Sequence, residues 1–432
     1  MTPPPERSID PQNRHQDLRL SRDGWLLFAA RLVRMFAYGL LSTVLMLYLS
    51  AAGMDDGRIG LLMTLTLLGD TAITFWLSTN ADRIGRKRTL LIGALLMTGA
   101  GLAFAMSTNF FVLLLAATIG VISPSATEIG PFLSVEQAAI SELIPGRERT
   151  RVFAWYHLVG YCAGALGAFV GGYSVSFARE QGATGTEAFQ YVVWGYSLCG
   201  VVLAILFAAL HRTIEPFEHA PQDPPPAPMR FGLHRSRSII ARLSALFALD
   251  AFGGGFILQA IISFWLARRF GLPEQTLGQI FLAANLLSGA SALMAGSIAR
   301  RFGLINTMVF THLPSNVLLM LVPFMPDALS AVGLLLLRYA ISQLDLPTRQ
   351  AFTMAVVAPD ERSAAAGVTN VARSIGGSLS PYLATTLMGW PALMSAPFLL
   401  AGGCKIVYDI LLFRAFANHR EDSDDPGSNS AR

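Results

Sequence analysis

The sequence predicts an all-α membrane protein with twelve transmembrane helices in two pseudo-symmetric six-helix halves. The first observation is composition: of 432 residues, 53% are hydrophobic and only 14% are charged, whereas soluble domains carry about 25% charged residues. The second is that apolar runs recur from Trp25 almost to the C-terminus, each close to the roughly 20 residues that span a ~30 Å hydrocarbon layer. The third is that the two halves of the chain share several short motifs.

Turn residues and charge clusters divide the apolar runs into twelve predicted spans. In the first half these cover residues 25–50, 58–79, 89–106, 110–133, 151–176 and 189–210. In the second half they cover residues 239–266, 275–299, 304–325, 329–353, 363–388 and 392–414. The predicted organisation is therefore a tail at 1–24, a first half at 25–211, a proline-rich linker at 212–238, a second half at 239–416 and a tail at 417–432.

Basic residues are concentrated in alternate loops. These loops hold Arg83, Arg86, Lys87 and Arg88, then Arg147, Arg149 and Arg151, then Arg212, Arg230, Arg235 and Arg237. Because loops rich in Lys and Arg face the cytoplasm, we expect both tails and the linker to be cytoplasmic. The N-terminal stretch has no removable signal pattern. The sequence thus predicts a multi-pass protein of the cytoplasmic (inner) membrane.

Three pairs of segments repeat at a spacing of about 213–218 residues. Residues 78–88, between the second and third spans, correspond to residues 296–303, between the eighth and ninth. Glu136 and Arg349 occupy matching positions, and each is followed by Gln and Ala. Arg34 on the first span corresponds to Asp250 on the seventh. Paired six-helix repeats are typical of transporters, with the substrate site at their interface.

The loop after the second span carries the most specific motif. Residues 82–87 read Asp-Arg-Ile-Gly-Arg-Lys, which resembles the G-x-x-x-D-R-x-G-R-[RK] loop of the major facilitator superfamily, with Ser78 where the first glycine is usual. The resemblance implies the fold of that family and a cytoplasmic latch that favours the outward-facing state. The latch residues it implies are Asp82, Arg83, Gly85, Arg86 and Lys87.

Glu136 is expected close to the basic loop at residues 83–88. We interpret Glu136 and Arg349 as parts of a cytoplasmic gate rather than as substrate contacts. A gate ion pair must break in every cycle, so its desolvation cost and its attraction should nearly balance.

The fifth span contains a glycine-rich stretch, formed by Gly164, Gly167, Gly171 and Gly172. It is similar to a stretch found in many proton-driven exporters of the family, although Ala168 stands where a proline is expected. Small residues at this spacing also allow membrane helices to approach closely, so both interpretations stay open. An arginine that the family carries on the fourth helix is missing from the first half, and Arg338 on the tenth span is its candidate counterpart. These two motifs alone therefore do not decide proton coupling.

Ionisable residues inside the spans mark candidate functional positions, because each costs about 2.5–3.5 kcal/mol at a helix centre. In the family fold, helices one, four, seven and ten line the cavity, so we predict that Arg34 and Asp250 face it and interact, directly or through substrate. The alternative is a static ion pair between the halves. Asp70 is the predicted proton carrier, because a carboxyl group in an apolar setting can exchange a proton near neutral pH. Its alternative role is a structural partner of Arg34 or Arg31.

The later spans add Arg338, Asp345 and Arg373 to the candidate substrate and proton-coupling residues. Arg338 and Asp345 are seven positions apart, which places them on one face of a continuous helix. Lys405 and Asp409 on the twelfth span are at i and i+4, so they are expected to neutralise each other outside the cavity.

These features predict a secondary active transporter that moves a small solute by alternating access. We expect proton coupling and prefer export by antiport; a proton-coupled uptake symporter or a uniporter is the alternative. A ligand sensor or scaffold without transport is the alternative of another class. The expected partners are a small solute, protons and the lipid bilayer, without nucleic acid, and the expected state is a monomer.

An enzyme is not expected. The sequence contains no H-E-x-x-H, no G-x-S-x-G and no G-x-x-x-x-G-K-[ST] motif, and these motifs mark metalloproteases, hydrolases and nucleotide-driven proteins. The three cysteines are far apart, each inside an apolar run, and offer no metal-ligand spacing. We therefore expect neither a metal nor a cofactor.

Overall fold

The computed structural model describes residues 20–127, 130–144, 149–211, 214–215, 236–357 and 361–416, apart from the side chains at 82, 150, 346, 363 and 364. Most of the predicted tail at 1–24, most of the linker at 212–238 and all of the tail at 417–432 lie outside the described residues.

Sixteen α-helices make up almost all of the described chain, which contains no strand. The helices of the first half are α1 Arg22–Ser42, α2 Leu45–Ala51, α3 Asp56–Ile84, α4 Arg86–Met106, α5 Phe110–Ile119, α6 Phe132–Leu143, α7 Arg149–Glu180 and α8 Gln190–Ala208. Those of the second half are α9 Arg237–Gly255, α10 Gln259–Phe270, α11 Glu274–Phe302, α12 Leu304–Leu321, α13 Ala328–Ile341, α14 Asp345–Ala355, α15 Arg362–Met388 and α16 Ala396–Phe416.

The helices fall into twelve segments that match the twelve predicted spans. Among the described residues, nine helical segments are long and apolar enough to cross a membrane, and α5 and α13 are shorter apolar helices. Many large apolar side chains are exposed, for example Leu115 at 61% and Ile205 at 64%. In a bilayer such side chains contact lipid rather than water, so the exposed apolar surface is that of a membrane protein.

Four of the twelve segments are broken, and they occupy equivalent places in the two halves. The breaks separate α1 from α2, α5 from α6, α9 from α10 and α13 from α14. At one break the backbone N–H of Ala260, in the first turn of α10, donates to the carbonyl of Pro124 at 3.0 Å. The first N–H groups of a helix have no partner within it, so this bond from the other half satisfies one of them.

The break between α13 and α14 contradicts the expectation of a continuous tenth helix. Residues 342–344 interrupt it, and α14 begins at Asp345 with Pro347 in its first turn. A proline is tolerated there because it lacks only an N–H that the first turn does not use. The prediction that Arg338 and Asp345 share one helical face is therefore wrong, since each lies on a separate helix.

A single glycine joins the second helix to the third in each half. Gly85 separates α3 from α4 with a φ of +99°, and Gly303 separates α11 from α12 with a φ of +83°. A residue with a Cβ atom rarely adopts such angles, which explains why glycine stands at both joints. The repeated motif therefore folds into the same backbone turn twice.

The two halves pack through α7 against α11 and through α3 against α15. Gly172 allows the first contact: a Cβ atom there would stand 2.1 Å from the carbonyl oxygen of Glu274 on α11. The other glycines of the fifth span face α1 instead. A Cβ at Gly167 would meet the carbonyl of Phe36 at 2.0 Å, and one at Gly171 the carbonyl of Leu40 at 2.3 Å.

Within the described residues, two ion pairs join the halves, and both lie at the end opposite the basic loops. Arg268 contacts Asp56 at 2.8 Å and Arg179 contacts Glu274 at 2.8 Å. Nearer the middle, the side-chain amide of Gln259 donates to the hydroxyls at positions 42 and 43, at 3.0 Å each. The structure is thus closed at the end opposite the basic loops.

Candidate functional site

The first half contains a buried ion pair between α1 and α6. The two Nη atoms of Arg34 donate to the two carboxylate oxygens of Glu136 at 2.6 and 2.7 Å, and both side chains are 0% exposed. The arrangement is bidentate, the geometry in which a guanidinium and a carboxylate bind most strongly. The pair joins α1, which precedes the first helix break, to α6, which follows the second helix break.

Aromatic side chains surround this pair. The Tyr156 hydroxyl on α7 donates a short hydrogen bond to Oε2 of Glu136. The Arg34 guanidinium lies 4.7 Å from the centre of the Phe132 ring. One turn earlier on α1, Arg31 donates to the Tyr156 carbonyl at 2.8 Å and lies over its ring at 4.3 Å. Both arginines are therefore held by hydrogen bonds and ring faces within the first half.

The second half contains a larger charged network around Asp250 on α9. One of its oxygens accepts from Arg349 on α14 at 2.6 Å, and the other accepts from Lys405 on α16 at 2.7 Å. Arg349 also contacts Asp345 at 3.1 Å. Because water does not reach a buried ion pair freely, the Asp250 carboxylate is stabilised mainly by these two cations.

The two ion pairs occupy equivalent positions in the repeats, but their polarity is opposite. In the first half the cation, Arg34, is on the first span and the anion, Glu136, on the fourth. In the second half the anion, Asp250, is on the seventh span and the cation, Arg349, on the tenth. The duplicated fold therefore keeps the pair and reverses its sign.

A histidine connects the second-half network to α16. His312 on α12 contacts Asp409 through Nδ1 at 2.8 Å, and its Nε2 is 3.8 Å from Asp250. Asn316, one turn further along α12, donates to the second oxygen of Asp409 at 3.1 Å. The ring of His312 thus stands between two buried carboxylates, and it could transfer a proton from one towards the other.

The geometry corrects two pairings expected from the sequence. A direct contact between Arg34 and Asp250 is not formed, because the fourth and tenth spans bring Glu136 and Arg349 against them; an interaction through substrate stays a prediction. Lys405 was expected to neutralise Asp409 outside the site. Instead it binds Asp250, while Asp409 binds α12. The twelfth span therefore contributes directly to the charged network.

The basic loop also has a different partner from the one expected. Arg86 contacts Glu142 at 2.7 Å, whereas Glu136 lies deeper, on Arg34. The sequence predicts Glu136 near this loop; its described hydrogen bonds are with Arg34 and Tyr156. Glu142 was missed because it lies near the end of α6, in a stretch that the sequence did not resolve into a helix.

A carboxylate from the start of the linker caps α4. Glu215 accepts from the backbone N–H of Arg86 at 2.6 Å and of Lys87 at 3.2 Å. Lys87 in turn donates to the carbonyls at positions 208 and 210, at the end of α8. Arg83 is exposed, and the side chain of Asp82 lies outside what the structure describes. The contacts described for Arg86 and Lys87 are therefore with the first half and the start of the linker.

The remaining candidates occupy separate places. Asp70 on α3 is half-buried and accepts from the Thr74 hydroxyl at 3.4 Å. Arg338, at the end of α13, is buried with its guanidinium 5.2 Å from the centre of the Tyr339 ring. Arg373 on α15 lies within electrostatic range of Arg349, Asp250 and Asp345. Arg338 and Arg373 therefore border the second-half network, whereas Asp70 belongs to the first half.

Comparison with known proteins gives one family. A model described as Major Facilitator Superfamily matches residues 27–381. An uncharacterized membrane protein of Saccharomyces cerevisiae, YJR124C, is 31% identical over 423 residues, which are 91% of this chain and 93% of that protein. The quinolone resistance protein NorA of Staphylococcus aureus is 28% identical over 156 residues, or 35% of this chain and 39% of NorA.

Solved structures of transporters share the fold. The nucleoside transporter NupG superposes with a TM-score of 0.69 at 14% identity, covering 92% of this chain and 99% of NupG. A D-xylose-proton symporter superposes with a TM-score of 0.70 at 12% identity, covering 90% and 97%. At these identities the likeness establishes the architecture alone.

Proposed function

Because the chain belongs to the major facilitator superfamily, we propose that it is a proton-coupled antiporter that exports a small solute by alternating access. Membership makes it a multi-pass transporter of small solutes rather than an enzyme. The direction, the coupling ion and the roles of individual residues are our proposal. In the proposed orientation the protein lies in the cytoplasmic membrane with both tails in the cytoplasm. The end that is closed in the structure then faces the outside of the cell.

The observation that supports alternating access is the distribution of charged contacts. The strongest buried pairs, Arg34–Glu136 and Asp250–Arg349, each lie within one half, whereas the ion pairs between halves are partly exposed and lie at the outer end. Each half can then move as a unit, while the outer contacts break and re-form. Rocking of two repeats about a central site is how such transporters expose it to each side in turn.

We assign proton coupling to Asp250: Arg349 and Lys405 favour its charged form, so it takes up a proton only when one of these cations moves away during the cycle. Its carboxylate is the shared acceptor of Arg349 and Lys405. A proton that neutralised it would remove the attraction on both cations, so α14 and α16 would lose a common tie to α9. Asp70, in the other half, is the second candidate carrier. Protonation of Asp250 would change contacts between helices, which coupling requires.

Export is the direction we prefer. The similarity to NorA, whose name records quinolone resistance, covers part of the chain and supports it. Two features point the same way. The loop at residues 82–87 resembles a family latch that favours the outward-facing state, and the glycine-rich α7 is similar to a stretch of many proton-driven exporters. A symporter would use the same fold, so the sign of the proton movement decides between the two.

The test is proton release from the purified protein in unbuffered detergent as candidate solutes are added. An antiporter exchanges the two ligands, so solute addition should release protons from the wild type, and Asp250→Asn or Asp70→Asn should abolish the release. Asp327→Asn is the control, because Asp327 caps α13 at its outer end and Asn can accept the same bond from Ser330. Proton uptake on solute binding would instead establish symport, and binding without any proton change would rule out coupling through either carboxylate.

A further inference from the structure

Cations outnumber anions in the second-half network. Besides Arg349 and Lys405 inside it, Arg373 and Arg338 border it and lie within electrostatic range of its carboxylates. The carboxylates are those of residues 250, 345 and 409. Among the described residues, four cations thus meet three anions before any proton on the histidine is counted. The network carries a net positive charge inside the membrane, where an uncompensated charge is costly.

The excess charge can be assigned to two side chains. Among the described residues, neither Arg338 nor Arg373 has an ion-pair partner. The Nε atoms of Arg338, Arg349 and Arg373 are shut off from solvent and have no acceptor in the described part of the chain. Buried polar groups in native proteins are nearly always hydrogen-bonded, so three unused guanidinium donors in one network indicate an acceptor that the described residues do not supply.

The surroundings of these arginines are aromatic as well as charged. The Arg338 guanidinium lies against the Tyr339 ring, and Arg349 lies 5.6 Å from the centre of the Phe247 ring. Arginine suits the recognition of carboxylates, because its planar fork of donors matches their two oxygens. The combination of a net positive charge with apolar ring faces fits an anion that has an apolar body.

We propose that Arg338 and Arg373 form the binding site for an organic monocarboxylate, and that the solute of the proposed transport is such an anion. The substrate role rests on the proposed function, whereas the binding role does not. The carboxylate would accept from the unused guanidinium donors and neutralise the excess charge, and Asp250 and Asp345 would keep the neighbouring Arg349 occupied. A neutral analogue of the same shape would leave the charge uncompensated.

The test measures thermal stabilisation of the purified protein by four probes of matched shape. Benzoate and decanoate supply the carboxylate with an aryl or an alkyl body, and benzamide and decanamide supply the same bodies without charge. The wild type should be stabilised in a saturable manner by at least one carboxylate and by neither amide. Arg338→Gln and Arg373→Gln should each raise its apparent Kd at least about tenfold, since each removes charged hydrogen bonds.

Two further variants separate binding from folding. Arg373→Lys keeps the charge without the fork and should retain part of the affinity. Arg269→Gln changes an exposed arginine at the outer end of α10 and should leave the affinity unchanged. Equal stabilisation by an amide and its carboxylate, no stabilisation by either carboxylate, or unchanged affinity in both Gln variants would each overturn the proposal. A carboxylate that binds as expected but is not moved into proteoliposomes would overturn the transport role alone.

Discussion

Replacing one member of the Arg34–Glu136 pair should destabilise the protein strongly, and replacing both should destabilise it much less. Both side chains are fully buried and joined by two hydrogen bonds of 2.6 and 2.7 Å. Removing one partner of such a pair leaves a buried charge uncompensated, which costs about 3–5 kcal/mol. Methionine has a similar length and no charge, so the double variant removes both the attraction and the desolvation cost.

We therefore expect Arg34→Met and Glu136→Met each to lower the free energy of unfolding by about 3–5 kcal/mol. The double variant should lose much less free energy of unfolding than the sum of the two single losses. The difference, the coupling energy, should be at least about 2 kcal/mol, near the upper range for residues in direct contact. Equilibrium unfolding in mixed micelles, followed by circular dichroism, measures all three values against the wild type.

An exposed pair gives the matched control. Arg58 contacts Asp55 at 3.4 Å, with side chains 59% and 67% exposed, and exposed pairs contribute about 0–1 kcal/mol. Arg58→Met should change the free energy of unfolding by less than about 1 kcal/mol. If the effects of the Arg34 and Glu136 variants add to within about 0.5 kcal/mol, the two side chains are not coupled, and the reasoning from buried geometry is refuted.

Three other predictions concern the repeats and their interface. The charge-swapped variant Arg34→Asp/Glu136→Arg should recover more than half of the stability that either single change removes, because the second half already uses that polarity; recovery no better than the singles in the same unfolding assay would contradict this. Gly172→Ala places a Cβ atom 2.1 Å from a carbonyl oxygen of α11, so the outer ends of the two halves should separate. A cysteine introduced by Ser42→Cys in a cysteine-free background should then be alkylated faster. An unchanged alkylation rate would show that the contact at Gly172 is not required for closure. Lys405→Met removes a 2.7 Å charged hydrogen bond and should cost about 1.5–3 kcal/mol; a change below about 0.5 kcal/mol would place the lysine outside the network.

Much of the fold could be predicted from local signals. The apolar runs gave the twelve segments, because each must be long enough to cross the hydrocarbon layer. The glycines at 85 and 303 stand in predicted loops between spans, where the backbone turns with a positive φ. Asn109 and Asp327, which cap α5 and α13, also mark helix starts that are legible in the sequence. The helix breaks were harder, since hydropathy does not distinguish a continuous span from one interrupted in the middle.

The candidate site was predicted less well, because its residues meet only through tertiary packing. The sequence identified the four residues of the two ion pairs, but it did not show which residue binds which. Lys405 and Asp409 are one helical turn apart, and the local pairing appeared sufficient; in the structure both bind other helices. His312 was missed altogether, although Asn316 stands on the same face at i+4. The one signal available in the sequence was that these two polar residues lie one helical turn apart inside an apolar run.

The reversed polarity of the two buried pairs has a consequence for how the duplicated halves assemble. Suppose that both repeats carried the same polarity. The first span could then pair with the tenth, and the seventh with the fourth, with every charge satisfied. A bundle with helices swapped between the halves would compete with the native one. With the observed polarity, such a swap would bring Arg34 against Arg349 and Glu136 against Asp250. Like charges buried together are strongly unfavourable, and repulsion in the wrong partnership creates specificity as effectively as attraction in the right one. The sign reversal thus directs each half, as it enters the bilayer, to close upon itself.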